Sequence, residues 1–296
     1  MTAQRLKPFL IVNQDSGKVP SKMAELRKLA KQHKLKLHMC AGSDLEHELR
    51  EALKDSKVNR IIVGGGDGSV NTAVSIVLKK QKKMTIGVLP LGTANYYAKS
   101  LGISKKLSHA FDVALGDNIE KRHVCTANGR EFLIGVNVGS TSRMFAEVTD
   151  EDKQRFGRLA YFRGVLRTLR TTIPPDVTVR ANGETKKYAS TELVVLNQHV
   201  DEAIKLMPQV DGSKPYFEII TYGLGNSKLS PLFAVIIFAL SFGRNQKYLT
   251  RIRATKAVIT SKTDLPVGVD GDVLEKLPLD IKLVEDPLHF MSDVRR

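Results

Sequence analysis

One eight-residue run, Gly64–Asn71 (GGGDGSVN), combines residue types that could bind the phosphates of a nucleotide. Glycines let backbone N–H groups approach phosphate oxygens, and a helix that begins after them adds partial positive charge. A carboxylate beside phosphates is repelled unless it binds a Mg²⁺ ion, a ribose hydroxyl or a network of hydrogen-bond donors, so Asp67 indicates one of these three at a nucleotide site. A tight strand-to-helix turn without a ligand is the alternative for this run taken alone.

A second loop of the same kind, Pro90–Asn95 (PLGTAN), follows along the chain. Each loop comes after a buried apolar strand, Arg60–Val63 or Thr85–Leu89, and before a helical pattern, Ser69–Leu78 or Tyr96–Leu101. Parallel strands end at the same edge of a sheet, and open α/β sheets bind their ligands at that edge. Neither loop fits the Walker pattern or the G-x-G-x-x-G pattern.

Together the two loops resemble the diacylglycerol kinase catalytic family, in particular its bacterial soluble lipid kinases, and sphingosine and ceramide kinases share the pattern. Phe9–Lys18 is similar to the family's opening strand and Asn-Pro-x-Ser-Gly-Lys loop, with Gln14 in place of the proline. Gly157–Tyr161 resembles a family helix start, and Val269–Asp272 resembles the Asp-Gly-Glu/Asp motif near the C-terminus. The resemblance implies a lipid kinase of phospholipid metabolism that uses ATP and Mg²⁺.

The resemblance also implies roles for single residues. Asp67 would lie at the nucleotide phosphates and Mg²⁺, Asp272 would accept the proton of the lipid hydroxyl, and Asp270 would support Asp272 or the metal. Asp211 resembles a family aspartate that holds a structural Mg²⁺, although an ordinary Asp-Gly turn is an equal alternative. The other implied nucleotide-binding residues are Asn13, Gly65, Gly66, Gly68, Ser69, Asn71, Gly92, Thr93 and Asn95.

Two departures from the family pattern leave other functions open. Tyr96 stands where the second loop usually carries an aspartate, and Arg122–Ala127 holds no carboxylate where the family tends to have one. A catalytically weak regulator that binds nucleotide or lipid is therefore one alternative. An NAD kinase-type enzyme, which shares the Gly-Gly-Asp-Gly loop, is another, but no Asn-Glu pair follows the first loop here.

The order of the predicted elements indicates two domains. Residues 1–125 alternate strand and helix, which predicts a three-layer α/β nucleotide-binding domain. In residues 126–296 short strands separated by Asn-Gly, Asp-Gly or Pro turns predict a mostly antiparallel domain, which the resemblance implies is a β-sandwich that binds the lipid. The final strand around Leu288–Phe290 could return to either domain. The strands predicted in the second half are Glu131–Val138, Asp176–Ala181, Glu192–Leu196, Phe217–Tyr222, Lys256–Ser261 and Leu279–Val284.

The composition is that of a globular protein, with 42% hydrophobic residues and a longest apolar stretch, Pro231–Phe242, too short to span a bilayer. Two distant cysteines, Cys40 and Cys125, favour a reducing cytoplasmic location.

The formal net charge of +15 indicates an anionic partner. No nucleic-acid-binding pattern is visible, so nucleic acid is not the expected partner. Arg163, Arg167 and Arg170 recur at helical spacing, with apolar residues on another face, which is typical of a helix that binds an anionic membrane surface peripherally. A solvated helix that packs on the protein is the alternative, and a homodimer remains open.

Overall fold

The computed structural model describes residues 6–80, 84–139, 176–189, 192–198, 210–222 and 249–293. The chain divides into two compact units, one formed by Met1–Arg122 with Asp286–Arg296 and the other by His123–Glu285. The sequence predicted a division between residues 125 and 126 and did not decide which domain contains the last strand. In the structure that strand belongs to the first unit.

The described residues form eighteen strands and five helices. The strands are β1 (Pro8–Asn13), β2 (Leu37–Cys40), β3 (Arg60–Gly65), β4 (Thr85–Pro90), β5 (Ile119–Arg122), β6 (Cys125–Ala127), β7 (Arg130–Phe132), β8 (Gly135–Gly139), β9 (Asp176–Ala181), β10 (Glu184–Ala189), β11 (Glu192–Leu196), β12 (Phe217–Tyr222), β13 (Leu249–Ala254), β14 (Lys256–Ser261), β15 (Val267–Val269), β16 (Asp272–Glu275), β17 (Leu279–Leu283) and β18 (Leu288–Met291). The helices are α1 (Val19–Gln32), α2 (Leu45–Ala52), α3 (Asp67–Lys80), α4 (Tyr96–Ser100) and α5 (Leu107–Leu115).

The first unit is an α/β domain around one six-stranded sheet in the order β2-β1-β3-β4-β18-β5. All neighbours pair in parallel except β18 and β5. The strand β3 is buried along its whole length, because α3 packs on it and its flanking strands cover both edges. Strands buried in this way read as continuous apolar runs, which is why β3 and β4 could be predicted from the sequence.

The second unit is a β-sandwich of two six-stranded antiparallel sheets. Their orders are β10-β9-β14-β17-β6-β7 and β13-β12-β11-β8-β15-β16. One hydrophobic core contains inward-facing residues of both sheets, for example Phe132 and Ile281 of the first and Phe217 of the second. The predicted fold class, an α/β domain followed by an antiparallel β domain, is confirmed.

One predicted strand is wrong in a way that bears on the site. The run Glu131–Val138 was expected to form a single strand, but it forms the end of β7 in one sheet and the start of β8 in the other. The chain crosses between the sheets at Leu133 and Ile134, whose N–H groups bind the carboxylate of Asp270 instead of a neighbouring strand. An apolar run does not reveal such a crossing.

Three sequence predictions lie outside the described residues: the helix start at Gly157–Tyr161, the basic positions Arg163, Arg167 and Arg170, and the apolar stretch Pro231–Phe242. Among the helices of the described ranges, none has the length and apolar character needed to cross a membrane.

Candidate functional site

Three loops meet at the carboxyl edge of the first sheet, following β1, β3 and β4. The backbone N–H of Lys18 donates to the carbonyl of Leu91 at 3.0 Å, which joins the first loop to the third. The N–H groups of Leu91 and Gly92 both donate to the carbonyl of Gly65, at 3.0 and 3.2 Å. The two glycine-rich loops predicted to share this edge are therefore bonded to each other.

The glycines of these loops serve two different purposes. A Cβ on Gly92 would lie 2.4 Å from the Cα of Gly66, and a Cβ on Gly65 would lie 2.4 Å from Oγ of Ser69. Gly92 needs to be glycine because the two loops pack against each other, and Gly65 because its own loop folds back on the first turn of α3. The sequence-based reason was instead the approach of a phosphate. Gly68 is exposed, and a Cβ there would meet no atom within 4 Å. At Gly68 there is therefore room for a ligand close to the backbone.

The carboxylate of Asp67 connects the two loops. Its Oδ2 accepts the backbone N–H of Tyr96 at 3.1 Å, and its Oδ1 accepts that of Tyr97 at 2.8 Å. Asp67 lies in the first turn of α3 but binds the N–H groups at the start of α4, whose own N-cap residue, Asn95, provides no side-chain cap.

Asn95 is buried and shapes the second loop from within. Its Oδ1 accepts the N–H of Gly92 at 2.8 Å, and its Nδ2 donates to the carbonyl of the same residue at 2.6 Å. The residue has φ of +51°, a left-handed conformation that asparagine tolerates better than most residues. The neighbouring Thr93 is exposed, so its hydroxyl lies on the surface of the loop.

Asn13 ties the loop after β1 to α3. Its Nδ2 donates to Oγ of the buried Ser69 at 3.0 Å, while its Oδ1 accepts the N–H of Asp15 at 3.0 Å. Asp15, which sequence reasoning missed, accepts the N–H of Gly42 at 2.7 Å and so joins the loop after β2. A carboxylate two residues beyond a strand end was the available signal. Asn71 is half-buried in the first part of α3.

Lysines gather beside the first loop. The pKa of Lys18 is lowered. The main cause is partial burial, and the positive charges of Lys105, Lys99 and Lys22 add to it. The Nζ of Lys99 lies 5.3 Å from the ring centroid of Tyr96, a cation–π contact. Because like charges repel each other here, an anionic ligand beside Lys18 would be favoured electrostatically.

Asp67 is the carboxylate of these loops that could bind Mg²⁺. In the part of the chain that the structure describes, no three His, Cys, Asp or Glu side chains come together as a metal cluster. Asp67 supplies one carboxylate, and each of its oxygens has acceptor capacity beyond the single N–H that it binds. This suits Mg²⁺, which commonly binds one or two carboxylates together with phosphate oxygens and water.

In the second unit, Asp270 and Gly271 form the two-residue turn between β15 and β16, with φ of +50° and +97°. Positive φ at both positions is the pattern of a type I′ hairpin, for which Asp-Gly is a preferred sequence. The Asp270 carboxylate accepts the N–H groups of Leu133, Ile134 and Gly135 at 2.8, 2.9 and 3.0 Å. We call these three bonds the Asp270 clamp.

Asp272 differs sharply from Asp270. It pairs with Val269 across the turn, and its side chain is 66% exposed. Its Oδ2 lies 3.1 Å from a guanidinium nitrogen of Arg130. Of the two acidic residues of this motif, Asp272 is therefore the one that a ligand can reach.

Asp211 forms an Asx turn at the surface. Its Oδ1 accepts the N–H of Ser213 at 2.9 Å and the Ser213 hydroxyl at 2.7 Å, and Lys214 Nζ lies 4.0 Å from Oδ2. The structure thus shows the turn that was the alternative here, and the Mg²⁺ assignment of Asp211 stays a prediction.

Comparison with known proteins agrees with this architecture. Residues 7–127 match the model of the diacylglycerol kinase catalytic domain, which covers both glycine loops but not Asp270 or Asp272. A Streptococcus pneumoniae protein that bears a lipid kinase name is 28% identical over 252 residues, 84% of this chain and 83% of its own. A diacylglycerol kinase of Bacillus subtilis is 25% identical over 242 residues, 81% of this chain and 78% of its own.

A solved structure extends the comparison to the whole fold. The crystal structure of a diacylglycerol kinase from Bacillus anthracis matches with a TM-score of 0.74 at 20% identity, and 97% of each chain is covered. Residues 7–127 therefore match a diacylglycerol kinase catalytic domain, and the chain as a whole is similar to proteins of nearly the same length that are named lipid kinase or diacylglycerol kinase.

Proposed function

We propose that this protein is a lipid kinase that transfers the γ-phosphoryl group of ATP, with Mg²⁺, to a lipid hydroxyl. The acceptor would be a diacylglycerol-like, phosphatidylglycerol-like or sphingoid lipid. The observation that carries the proposal is the linked pair of glycine loops, with Gly68 open to a ligand and Asp67 beside it. The names of the relatives, lipid kinase and diacylglycerol kinase, support the same reaction.

In this proposal the first unit binds the nucleotide. The N–H groups in the first turn of α3, beside Gly68, have no partner within the helix and donate to phosphate oxygens. Lys18 and Lys99 add positive charge. Mg²⁺, held by Asp67 and the phosphates, would neutralise charge on the transferred group.

The second unit supplies the proton acceptor. As the lipid oxygen forms a bond to the γ-phosphorus and the bond from that phosphorus to the β–γ bridging oxygen breaks, Asp272 takes the hydroxyl proton and ADP leaves. Asp272 is suited to this role because it is exposed, whereas the carboxylate of Asp270 is held by the clamp. Most of the rate enhancement would come from positioning and charge stabilisation.

The acceptor lies in a membrane, so the protein must bind a membrane surface peripherally. The net charge of +15 and the basic positions Arg163, Arg167 and Arg170 support an anionic surface. Each basic residue near such a surface contributes about 1 kcal/mol, screened within about 10 Å at 0.1 M salt. Sedimentation should therefore be stronger with anionic than with neutral vesicles and weaken as salt rises, and changing all three arginines to glutamate should reduce it. Equal, salt-independent sedimentation with both would argue against electrostatic binding.

One observation favours a second candidate, a regulator that binds nucleotide or lipid without transferring phosphate. Tyr96 stands where the family usually places an aspartate, so Asp67, which also binds the N–H groups of Tyr96 and Tyr97, lacks that second carboxylate for holding Mg²⁺. Such a regulator would bind ATP through the same loops but form no product.

One experiment separates these functions. The purified protein is incubated with radiolabelled ATP, Mg²⁺ and a total lipid extract, and labelled lipids are separated by chromatography, with D272N as the control. A labelled lipid that is lost with D272N supports the kinase. An ATP-dependent rise in melting temperature without labelled lipid supports the regulator, and the absence of both would exclude nucleotide chemistry at these loops.

A further inference from the structure

The segment that forms the Asp270 clamp is itself held by two buried amide residues. The carbonyl of Leu133 accepts Nε2 of Gln198 at 2.9 Å and Nδ2 of Asn197 at 3.3 Å. The carbonyl of Ile134 accepts the backbone N–H of Asn197 at 3.0 Å. Both amide residues are 1% exposed, directly after the end of β11. The N–H groups of this segment bind the carboxylate, while its carbonyls bind Asn197 and Gln198.

Asn197 also bonds to the segment that contains His123 and Cys125. Its Nδ2 donates to the carbonyl of His123 at 2.7 Å, and its Oδ1 accepts the Cys125 thiol at 3.3 Å. A buried amide is costly unless its hydrogen bonds are made, and an apolar residue could fill such space without that requirement. A fully bonded polar side chain instead fixes the relative positions of the backbone segments that it joins.

The approach of β11 to the clamp segment is equally tight. Gly135 pairs with Leu196, and a Cβ on Gly135 would lie 2.5 Å from the carbonyl oxygen of Val195. The backbone N–H of Asp270 also donates to the carbonyl of Gly135 at 2.9 Å. A shift of Asn197 would therefore be passed to the clamp segment, and from there to the turn that carries Asp272.

We infer that Asn197, assisted by Gln198, is a positioning residue for phosphoryl transfer: it holds Leu133–Gly135 so that the clamp fixes the turn beside Asp272. This inference rests on the proposed kinase function. Asn197 touches neither nucleotide nor the reacting hydroxyl in this account, so its loss changes the placement of the proton acceptor and leaves nucleotide binding intact. Misplacement of a reacting group by about 1 Å lowers a rate by about 100-fold.

A double-mutant cycle tests this coupling. N197A should lower kcat by about 10- to 100-fold while the ATP-dependent rise in melting temperature stays unchanged. In the D272N background, where the proton acceptor is already lost, N197A should lower kcat by less than about twofold. The matched control is E218Q: Glu218 is an equally buried polar residue of the same unit, but it binds Arg251 at 2.7 Å and Arg253 at 3.1 Å.

The control decides between positioning and general destabilisation. E218Q should lower kcat by the same factor in both backgrounds, because the Glu218 side chain binds Arg251 and Arg253 and not the clamp segment. If N197A also lowers kcat equally in both backgrounds, or leaves it unchanged, the inference is wrong. If N197A fails to fold, Q198A removes one donor to Leu133 and should show the same coupling with a smaller loss, about 3- to 10-fold.

A second measurement does not depend on catalysis. In hydrogen exchange, N197A should speed exchange of the Leu133, Ile134 and Gly135 amides, which the clamp protects, and E218Q should not. If the unsubstituted protein phosphorylates no lipid, the proposed function fails, and this exchange pattern still decides whether Asn197 holds the clamp. Unchanged exchange at these three amides in N197A would overturn the inference whatever the activity.

Discussion

Replacing Gly92 by alanine measures how closely the two glycine loops pack. The added Cβ would lie 2.4 Å from the Cα of Gly66, 3.0 Å from Oδ1 of Asn95 and 3.1 Å from the backbone nitrogen of Gly66. Two carbon atoms prefer about 3.5 to 4.0 Å, so the loops must separate by about 1 Å or more. Such overpacking costs about 1 to 3 kcal/mol.

The expected loss can be read from thermal unfolding. For a chain of this size 1 kcal/mol shifts the melting temperature by about 2 to 4 °C, so G92A should melt about 2 to 12 °C lower. The ATP-dependent rise in melting temperature should also fall, because the same displacement moves Asp67 and the start of α4, which are bonded across the loops.

G68A is the matched control, since the same methyl group is added to the neighbouring loop in open space. Alanine stabilises a helix over glycine by about 0.5 to 1 kcal/mol, so the melting temperature without ligand should stay the same or rise. If phosphates approach this face, the methyl group should still reduce the ATP-dependent rise. A G92A protein with an unchanged melting temperature would refute the tight loop contact, and a full ATP response in G68A would place the nucleotide elsewhere.

Three further predictions concern single side chains of the two units. D67N keeps the size of the side chain but places an NH₂ donor where a carboxylate oxygen faced an N–H of α4. The variant should therefore melt at a lower temperature and lose the Mg²⁺-dependent ATP response. A full ATP response in D67N would mean that the carboxylate is not at the nucleotide. D272N should lower kcat by a factor of about 10² to 10⁴ at an unchanged melting temperature. D270N should lower the melting temperature, because the clamp is lost. If D270N abolishes activity and D272N is nearly normal, the two residues have the opposite roles. The pKa of the Cys125 thiol is raised, mainly by burial and then by the charge of Asp270. At pH 8 a thiol reagent should therefore modify Cys125 only after unfolding, as measured by mass spectrometry. Rapid modification in the native state would contradict its burial.

The local part of this structure could be predicted from the sequence. The strands β3 and β4 are apolar because helices and neighbouring strands cover them. Their burial can therefore be predicted from their continuous runs of apolar residues. The Asn128–Gly129 hairpin was also predictable, since both residues take the positive φ that a type I′ turn requires. In each case the residues of the element itself carry the signal.

The contacts that define the site could not be predicted in this way. Asp67 binds N–H groups 29 and 30 residues away, and Asp270 binds groups 135 to 137 residues away. The crossing at Leu133 was missed for the same reason, because the partner that ends β7 is a distant carboxylate. The helix α5 was not predicted either, although four of its nine residues are buried apolar side chains.

In both aspartate motifs, backbone N–H groups offset the negative charge of a carboxylate, that of Asp67 or that of Asp270. A carboxylate next to phosphates should repel them, yet the charge of Asp67 is offset by two backbone N–H groups at the start of α4. The charge of Asp270 is offset by three N–H groups, a nest of the kind that binds anions elsewhere. Since these N–H dipoles are part of the fold, each carboxylate is stabilised before any ligand arrives. Asp272 instead forms an ion pair with the partly exposed Arg130 and is itself 66% exposed, so its oxygens remain within reach of solvent and substrate. In the proposed reaction, the backbone therefore neutralises the first carboxylate of the Asp-Gly-Asp motif and leaves the second, Asp272, as the candidate proton acceptor.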